Sequence, residues 1–461
     1  MRTVLTVDPT GEVDPVLQTQ RMMVKVERHS VNIPKMTNVQ PLELSPPQLP
    51  DWSVTNSVAS RGKMLRQALR KHAGVAGVLD NLAGAPLGDV RPIYVKLNEG
   101  DAELLTWETL CDLTDAFVAL DRRWPIGRIT DPASTSARNT PLFRVPVRLL
   151  AVISALGIKG QVREWQFLRD AVRDARVAGL DVQLRVLVGE AALFDTIFQE
   201  IANGILWTEV SSVSGTGSRV ASEIKRWKPN IVHFFCHGRS DSGKQQLEFA
   251  TASDYQDNTL TQGSITLDVD QLVNLGVELD NPWLMTLNCC EGAQASDDLM
   301  SIAHRVVSTA FPAAVAMLEP VDASDAFEFT RAFYGSLFSE LEKVAKALNV
   351  VAKVEFEWAY VMHDARVAIN ARHSGDSANR KEWALPALYV RGVDPMHFDR
   401  PPAGESEADL VRYLTSARTV AGWLSGVRDS MPEAKRRAAM EDVLVGVPQQ
   451  YWPNVDGTFG A

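Results

Sequence analysis

Cysteine is scarce in this chain, because only four of its 461 residues are cysteines. Two of the four, Cys289 and Cys290, are adjacent, and Cys236 lies inside an apolar run. This pattern excludes the disulfide framework of small secreted proteins, and free thiols are typical of a reducing compartment. We therefore expect a cytoplasmic protein whose thiols are available for chemistry.

Long apolar runs and an excess of positive charge are also missing. No stretch approaches the about 18 to 20 apolar residues that cross a bilayer, and the first residues lack the charged-then-apolar pattern of a signal peptide. The 47 Lys and Arg residues are outnumbered by 57 Asp and Glu residues, so the net charge is −10. Nucleic-acid binding relies on a basic surface. We therefore expect neither nucleic acid nor a membrane as a direct partner.

Motifs for cofactors and metals are absent as well. Residues 215–218 read GTGS, which lacks both the Gly-Lys-Ser/Thr of a P-loop and the third glycine of a dinucleotide fingerprint. A turn followed by a serine helix cap is the better interpretation. No histidine and cysteine have metal-ligand spacing, so we expect no cofactor and no metal. His233 is predicted to be a core residue of a strand, and four histidines lack a partner motif, namely His304, His363, His373 and His397.

Two apolar runs, in contrast, end at reactive side chains. Residues 230–238 read NIVHFFCHG, with His237 and Gly238 at the end. Residues 283–292 read WLMTLNCCEG and end with the two adjacent cysteines. Runs rich in β-branched and aromatic residues are typical of strands buried on both faces of a parallel sheet. Because ligands bind at the carboxyl ends of such strands, the imidazole and a thiol are predicted to face one another.

The pair of side chains has the composition of a Cys/His dyad. A thiol becomes a good nucleophile only as the thiolate, and a nearby imidazole both accepts its proton and later protonates the leaving amine. The separation 290 − 237 = 53 is close to the roughly 50 residues between the histidine and cysteine of caspases. Adjacent strand residues point to opposite faces, so only one of the two thiols can reach His237.

The two motifs, in this order, resemble the CHAT family of bacterial cysteine peptidases, which belongs to the caspase and separase clan. Residues 314–334 resemble the family's next strand, its aspartate-bearing loop and the following helix, and residues 383–389 resemble its closing strand. Residues 105–108 and 148–155 resemble the start of the domain, so the similarity spans about 90–392. The resemblance implies a caspase-like α/β fold, in which a mostly parallel sheet is flanked by helices on both faces.

The resemblance also assigns the site residues. The family's nucleophile directly precedes Glu or Gln, which identifies Cys290 before Glu291, and the family's histidine corresponds to His237. This chain departs from the family in having Cys289 where a small residue is usual. Gly238 and Cys290 would supply the backbone N–H groups of the oxyanion hole.

An acidic pocket residue is a further expectation. In related separases and gingipains such a residue selects a basic residue before the scissile bond. Asp322 or Asp325 could act so here, together with Glu291, which would also shape the cysteine turn. Either aspartate could instead cap the helix expected to begin near Ala326, and capping is the preferred interpretation for Asp325.

The implied function is that of a cysteine endopeptidase acting on a protein substrate. The resemblance further implies tight regulation by an activating partner protein or complex, within a bacterial defence or cell-death system. One alternative is a catalytically silent caspase-like module that binds partners through its C-terminal helices, and the intact dyad counts against it. Another is a thiol acyltransferase or amidase acting on a small molecule, for which the sequence shows no cofactor pocket.

Three regions are predicted along the chain. Residues 1–88 form a small N-terminal β/α region with edge strands or a β appendage, residues 89–398 the peptidase domain, and residues 399–461 a helical tail with a regulatory role. From about residue 92 strands and helices alternate, which predicts a parallel sheet. The polar segment between His237 and Trp283 is predicted to be a loop with one short apolar element and one helix. Further helices are predicted at 51–88, 106–120, 161–178, 191–203 and 218–227, and further strands at 93–97, 145–155 and 182–188.

Overall fold

The computed structural model describes most of the chain, including the histidine motif. Cys289, Cys290 and Glu291 lie outside the described residues, so the roles expected of them remain predictions. The described residues are 2–13, 15, 20–29, 36–82, 90–97, 101–133, 140–154, 160–205, 207–213, 215–241, 244–256, 263–288, 296–401, 407–428, 430–444, 447 and 449–458.

Strands and helices alternate through the middle of the chain. The strands are β1 (Arg2–Val13), β2 (Gln20–His29), β3 (Met36–Leu42), β4 (Ile93–Leu97), β5 (Ile126–Thr130), β6 (Val147–Ser154), β7 (Val182–Val188), β8 (Thr208–Ser212), β9 (Ile231–Asp241), β10 (Lys244–Phe249), β11 (Ile265–Asp268), β12 (Leu284–Leu287), β13 (Ala313–Met317), β14 (Lys353–Phe356), β15 (Pro386–Arg391) and β16 (Met396–Asp399). The helices are α1 (Ser57–Arg70), α2 (Ala73–Leu82), α3 (Gln161–Val177), α4 (Ala191–Ala202), α5 (Gly217–Trp227), α6 (Val269–Glu278), α7 (Ser296–Thr309), α8 (Ala323–Leu348), α9 (Trp358–Arg372), α10 (Glu407–Gly426) and α11 (Glu433–Val443).

One large sheet organises these elements. Its strand order is β3-β2-β1-β4-β5-β15-β13-β12-β9-β6-β7-β8. Pairing is parallel from β1 to β15 and from β13 to β8, whereas β15 runs antiparallel to β13 and the β1–β2–β3 edge is antiparallel. Helices flank both faces of this mostly parallel sheet, as βαβ connections require. The predicted α/β class, with a mostly parallel sheet flanked by helices, is therefore confirmed.

The central strands are apolar because both of their faces are covered. In β9, His233 and Phe235 contact Tyr334 and Phe327 of α8, whereas Phe234 packs on Phe249 of β10. Alternate residues of a strand point to opposite faces, so the α8 side is one face of the sheet and the β10 side is the other. This distinction decides which side chains can meet at the site.

The N-terminal strands extend the main sheet. β1 pairs in parallel with β4, so the sheet continues into the N-terminal region, where β2 pairs with β1 and β3 forms the edge. The segment predicted as one helix over 51–88 contains two, α1 and α2. His72 lies between them, where its Nδ1 accepts a hydrogen bond 3.1 Å long from the backbone N–H of Gly74.

Two local predictions are wrong. Residues 106–120 are not an α-helix, because Asp112 Oδ1 accepts hydrogen bonds from the backbone N–H groups of Thr114 and Ala116 and reverses the chain, which brings Cys111 opposite Phe117. Only short 3-10 turns flank this reversal. The residue that caps α5 is Thr216 and not Ser218, since the Thr216 hydroxyl accepts a hydrogen bond from the N–H of Arg219.

The C-terminal region is helical, as predicted. α10 and α11 bury a small apolar cluster of their own, and Arg176 of α3 donates a hydrogen bond to the backbone of Asp442 in α11. The apolar cluster consists of Val420, Leu424, Met440, Val443 and Leu444.

Within the ranges that the structure describes, no helix combines the length and apolar character that crossing a membrane requires.

Candidate active site

The two motif strands are direct neighbours in the sheet. β12 pairs in parallel with β9 from Leu284 opposite Ile231 to Leu287 opposite Phe234, a constant offset of 284 − 231 = 53 residues. The backbone N–H of Asn288 then donates a hydrogen bond 2.9 Å long to the carbonyl of Phe234. Both strands therefore reach the same rim of the sheet, as the sequence predicts.

His237 lies where β9 leaves the parallel sheet. The last parallel partner of β9 is Ser154 of β6, which is level with Cys236. The strand does not end there, contrary to the prediction, because residues 237–241 continue into an antiparallel pair with β10 in which His237 is opposite Glu248. His237 is partly exposed and Gly238 is buried. The predicted polar loop therefore begins as a β-hairpin.

The hairpin is attached to the sheet and to its surroundings by polar contacts. Ser154 Oγ donates to the carbonyl of Ala250, at 2.9 Å, and accepts from its N–H, at 2.8 Å. Beyond β10, the Tyr255 hydroxyl donates to Glu190 Oε1 at 2.6 Å. These bonds hold the segment that follows His237 against the ends of β6 and β7. The segment that follows His237 therefore has a fixed position on one side of the sheet rim.

A second set of bonds fixes the chain after β10. Asp254 Oδ2 accepts from the N–H of Thr251, at 2.6 Å, and from the hydroxyl of Ser264, at 2.6 Å. Burial alone would raise the pKa of Asp254, but these hydrogen bonds outweigh it and lower the pKa below its ordinary value. The carboxylate is thus ionised at neutral pH and holds the two ends of the 251–264 segment together.

The α8 face of the rim carries the polar side chains of β12. Tyr334 of α8 donates from its hydroxyl to Thr286 Oγ1 at 3.3 Å, and it contacts the ring of His233, which is level with Thr286. Burial raises the pKa of Tyr334, so its hydroxyl stays protonated and remains a donor. His237 follows Phe235 by two residues, and strand alternation places it on this same face.

Beneath the start of the cysteine segment lies a buried group that we name the Glu164 cluster, consisting of Glu164, His233, Asn288 and Thr330. Glu164 Oε1 accepts from His233 Nε2 at 2.8 Å, from Thr330 Oγ1 at 2.7 Å and from Asn288 Nδ2 at 3.2 Å. All four side chains belong to residues with 0% exposure. Asn288 Nδ2 also donates to the carbonyl of Ala326, at 3.1 Å, and to Thr330 Oγ1, at 2.9 Å.

The cluster is incompletely satisfied. Among the described residues no hydrogen-bond partner exists for Glu164 Oε2, His233 Nδ1 or Asn288 Oδ1. The prediction that His233 is a satisfied core residue therefore holds for one of its two ring nitrogens. Glu164 is a site residue that sequence reasoning missed. The one sequence feature that marks Glu164 is its place on the core-facing side of an amphipathic helix, directly before the buried Trp165.

The two acidic candidates after β13 have different environments. α8 begins at Ala323 with Asp322 as its N-cap residue, so the helix starts three residues earlier than predicted and Asp325 is not the cap. Asp322 makes no side-chain capping bond and is exposed. Asp325 is buried and its Oδ1 accepts from Arg372 Nε, at 3.1 Å, and from His373 Nε2, at 2.9 Å. Only Asp322 presents its carboxylate to solvent.

Metal-ligating side chains also meet near this helix start. Within the described ranges, Asp325, His373 and Glu382 form the one group of three such side chains close enough to share an ion. The sequence did not predict this group, because its members come from different elements and show no ligand spacing. The partner of His373, which the sequence left without one, is thus Asp325.

Comparison with known proteins gives one family. Residues 171–355 match the model described as the CHAT domain. No curated protein matches this chain. Similar solved structures include the Arg specific cysteine proteinase gingipain R (RGPB), with a TM-score of 0.36 and 9% identity, covering 77% of this chain and 71% of that chain. A complex of the pro- and mature domains of RgpB from Porphyromonas gingivalis gives a TM-score of 0.37 and 8% identity, covering 73% and 71%. The family match covers 185 of the 461 residues and includes the strands that bear both motifs, so this segment of the chain is similar to the CHAT domain.

Proposed function

We propose that this protein is a cysteine endopeptidase in which Cys290 is the nucleophile and His237 the general base. The observation that supports this most directly is the register of β9 and β12. Their offset of 53 residues equals the sequence separation of His237 and Cys290, which is the separation expected of a dyad whose two members follow these neighbouring strands. The rim of a parallel sheet is where reacting groups are expected.

Strand alternation supports Cys290 over Cys289. Thr286 and Asn288 both contact α8, as His233 and Phe235 do. Sequence positions 286, 288 and 290 form one alternating series, to which position 289 does not belong. Because His237 lies on the α8 face, this alternation favours Cys290 over Cys289 as the thiol that acts with His237. The glutamate that follows Cys290 agrees with the family motif.

The chemistry follows from these two groups. His237 accepts the proton of the Cys290 thiol, and the thiolate attacks the carbonyl carbon of the scissile peptide bond. The N–H groups of Gly238 and Cys290 donate to the oxyanion of the tetrahedral intermediate. The imidazolium then protonates the leaving amine, and His237 activates the water that hydrolyses the acyl-enzyme.

The preferred substrate has a basic residue before the cut. Asp322 is exposed at the first turn of α8, which follows β13 at the rim of the sheet, and its carboxylate can pair with an Arg or Lys side chain. Glu291 adds negative charge beside the nucleophile. Asp325 contributes from below through its bonds to Arg372 and His373, which fix the same turn of the helix.

The biological setting is proposed from the family resemblance. The peptidase acts in the cytoplasm, within a bacterial defence or cell-death system, and an activating partner protein or complex regulates it. The helical tail over 399–461 is the candidate regulatory segment, and it contacts α3 through Arg176 and Asp442. Neither nucleic acid nor a membrane is proposed as a direct partner.

The decisive experiment compares the two adjacent thiols. Cys290→Ala should abolish both cleavage in a peptide library and labelling by a thiol-reactive peptide with a basic residue at its reactive end. Cys289→Ala is the matched control and should retain most activity. His237→Ala should abolish cleavage, and Asp322→Asn should weaken the preference for basic residues. Full activity in Cys290→Ala would refute the assignment of the nucleophile.

Two buried thiols provide an internal reference for the labelling. Cys111 and Cys236 are 1% and 0% exposed, and burial raises the pKa of Cys111 to about 11. Both should therefore react slowly in the folded protein and quickly after unfolding. If the wild-type protein shows no labelling above this reference and no cleavage with any candidate partner, the catalytically silent interaction module becomes the better reading.

A further inference from the structure

Three side chains from separate elements converge beside the first turn of α8. Asp325 belongs to that turn, His373 follows the end of α9, and Glu382 lies in the 3-10 turn before β15. One ring nitrogen and one oxygen of each carboxylate all lie within 4.8 Å of one another. Bonds from a Zn²⁺ ion to such atoms are about 2.0–2.2 Å long, so two ligands of one ion lie at most about 4.4 Å apart. A small movement of the side chains toward one another would therefore bring all three ligand atoms within bonding distance of one ion.

Two carboxylate oxygens of this group have unused acceptor capacity, which is an observation separate from the distances between the side chains. The Asp325 side chain is 2% exposed. Its Oδ2 has no hydrogen-bond partner among the described residues, and the same is true of Glu382 Oε2. Buried carboxylate oxygens are almost always hydrogen-bonded or bound to a cation. Two carboxylate oxygens without a partner among the described residues leave acceptor capacity for a bound cation in this group.

Arg372 accounts for only part of the negative charge. Its Nε donates to Asp325 Oδ1, which is also the atom that faces His373 Nε2. The Arg372 side chain is 45% exposed, and Oδ2 of the same carboxylate has no partner among the described residues. Glu382 makes no ion pair within the described part of the chain. A divalent cation bound between the two carboxylates is therefore compatible with Arg372 in its present position.

We propose that Asp325, His373 and Glu382 bind a divalent transition-metal ion of the Zn²⁺ or Mn²⁺ class. One imidazole nitrogen with two carboxylates disfavours Mg²⁺ and Ca²⁺, which prefer oxygen ligands alone. Three protein ligands leave further coordination positions for water. The site is separate from the proposed dyad, and it stands or falls independently of the peptidase assignment.

The position of the ion would give it a structural role. It would connect the start of α8 to the end of α9 and to the turn that precedes β15. The residue after Asp325 is Ala326, whose carbonyl accepts a hydrogen bond from Asn288 Nδ2. Metal binding would thus stabilise the helix turn on which the end of the cysteine strand is anchored. We expect the ion to raise the thermal unfolding midpoint of the full chain.

Direct binding tests this proposal. The full chain, with Cys289→Ser and Cys290→Ser to remove competing thiols, is stripped with a chelator and dialysed against Zn²⁺, and the bound metal is measured by elemental analysis. We expect one ion per chain and a Zn²⁺-dependent rise of the unfolding midpoint. Glu382→Gln and His373→Gln should each weaken binding by about tenfold or more, since even outer ligands contribute that much.

The control is a histidine of the same helix that has an acidic neighbour but no third ligand. His363 Nδ1 lies 3.0 Å from Asp364 Oδ1 in α9, so His363→Gln should leave the stoichiometry unchanged. The proposal is overturned if the parent chain binds no Zn²⁺, or if its binding survives both ligand substitutions. Circular dichroism identifies a variant that fails to fold, and the other ligand variant then decides. Because no readout is cleavage, failure here leaves the peptidase proposal untouched.

Discussion

Two buried ionic clusters lie against the same sheet, but they differ in how completely their polar atoms are matched, that is, paired with hydrogen-bond or ion-pair partners. The Glu108 cluster, consisting of Glu108, Arg128 and Arg366, lies beside β5, and all three residues are 0% exposed. Glu108 accepts two hydrogen bonds from Arg128, at 2.9 and 2.7 Å, and Arg366 Nη2 lies 3.9 Å from Glu108 Oε1. Backbone carbonyls accept further bonds from both arginines. Among the described atoms of this group, only Arg366 Nε lacks a partner.

The electrostatics of the Glu108 cluster follow from this matching. Burial alone would lower the pKa of Arg128, but Glu108 outweighs it and raises the pKa above its ordinary value. Burial lowers the pKa of Arg366 to about 10, which still leaves it charged at neutral pH. One carboxylate thus holds two cations in the core, a structural arrangement in which nearly every polar group is used.

The Glu164 cluster is matched differently. Its carboxylate has no arginine or lysine partner in the described structure and receives only an imidazole, a hydroxyl and an amide. Three of its polar atoms have no partner there. It lies at the rim, directly before the cysteine segment, whereas the Glu108 cluster is remote from it. Completely matched polar groups stabilise a fold, whereas incompletely matched ones occur where function places constraints on the structure.

The largest expected effect on stability comes from removing the negative charge of Glu108 in the Glu108 cluster. Glu108→Gln leaves two buried guanidinium groups without a counter-charge, and we expect a loss of about 3–5 kcal/mol in the free energy of unfolding. Urea unfolding followed by circular dichroism measures this loss. Cleavage by the molecules that remain folded should be unchanged. A loss below about 1 kcal/mol would show that the arginines find other partners and would remove the contrast between the clusters.

A smaller but pH-dependent effect is expected in the Glu164 cluster. Asn288→Asp places a second carboxylate against Glu164 Oε1 and the carbonyl of Ala326, and the lost donors and the repulsion should cost about 3 kcal/mol at neutral pH. Repulsion raises the pKa of the new carboxyl in the folded state. The penalty should therefore be smallest below about pH 4 and grow as the pH rises above it.

A matched asparagine separates charge repulsion from the loss of an amide. Asn281 Nδ2 donates to the carbonyl of Leu142 at 2.7 Å, and Asn281 Oδ1 accepts from the Leu142 N–H at 3.1 Å. Its partner is backbone and not a carboxylate, so Asn281→Asp should be destabilising with a weaker dependence on pH. Equal pH profiles for the two variants, measured by urea unfolding across the acidic range, would contradict the role assigned to Glu164.

The smallest effect among the buried groups is expected at Asp254, whose Oδ2 accepts hydrogen bonds from neutral donors. Asp254→Asn retains one acceptor oxygen and should cost about 1 kcal/mol at neutral pH. The hydrogen bonds lower the pKa of Asp254, so the stability that it contributes is present above the unfolded pKa of about 3.9 and is lost as the pH falls through the lower folded value. Wild type and variant should converge in acid.

Asp51 offers a comparison for that variant. Its carboxylate accepts two similar bonds from Ser53, at 2.8 and 2.6 Å, but in an exposed turn. Hydrogen bonds from Ser53 lower its pKa as well. Asp51→Asn should change the unfolding midpoint less than Asp254→Asn does, because solvent replaces the lost interaction. The opposite ranking would mean that burial adds nothing to these bonds.

Much of the fold could be predicted because strands and helices of α/β proteins have strong local patterns. The strands at 93–97 and 182–188 and the helices α3 to α5 lie within a few residues of their expected bounds. Residues 106–120 were mispredicted, because an aspartate turn overrides their apolar spacing. β9 was predicted too short, since its polar continuation is a strand only because β10 pairs with it.

The candidate site was predicted in part. His237 and the neighbouring strand of the cysteine motif could be identified from two apolar runs that end in reactive residues. Glu164 could not, because its contacts with His233 and Asn288 bridge 69 and 124 positions of the chain. The grouping of Asp325 with His373 and Glu382 could not be predicted for the same reason, because its members are distant in sequence. No local pattern records which helix turn will lie beneath which strand end.

By itself, the sequence determined the α/β class, the order of the elements and a separation of 53 residues between a histidine and a cysteine. These are properties of local pattern and chain distance, which hydrophobic periodicity makes visible. Only the tertiary structure decided that the pairing offset of β9 and β12 has the same value, which side of the sheet α8 covers, and which distant side chains surround each buried carboxylate. Such features depend on packing between distant segments, where burial changes the free energy of every polar group.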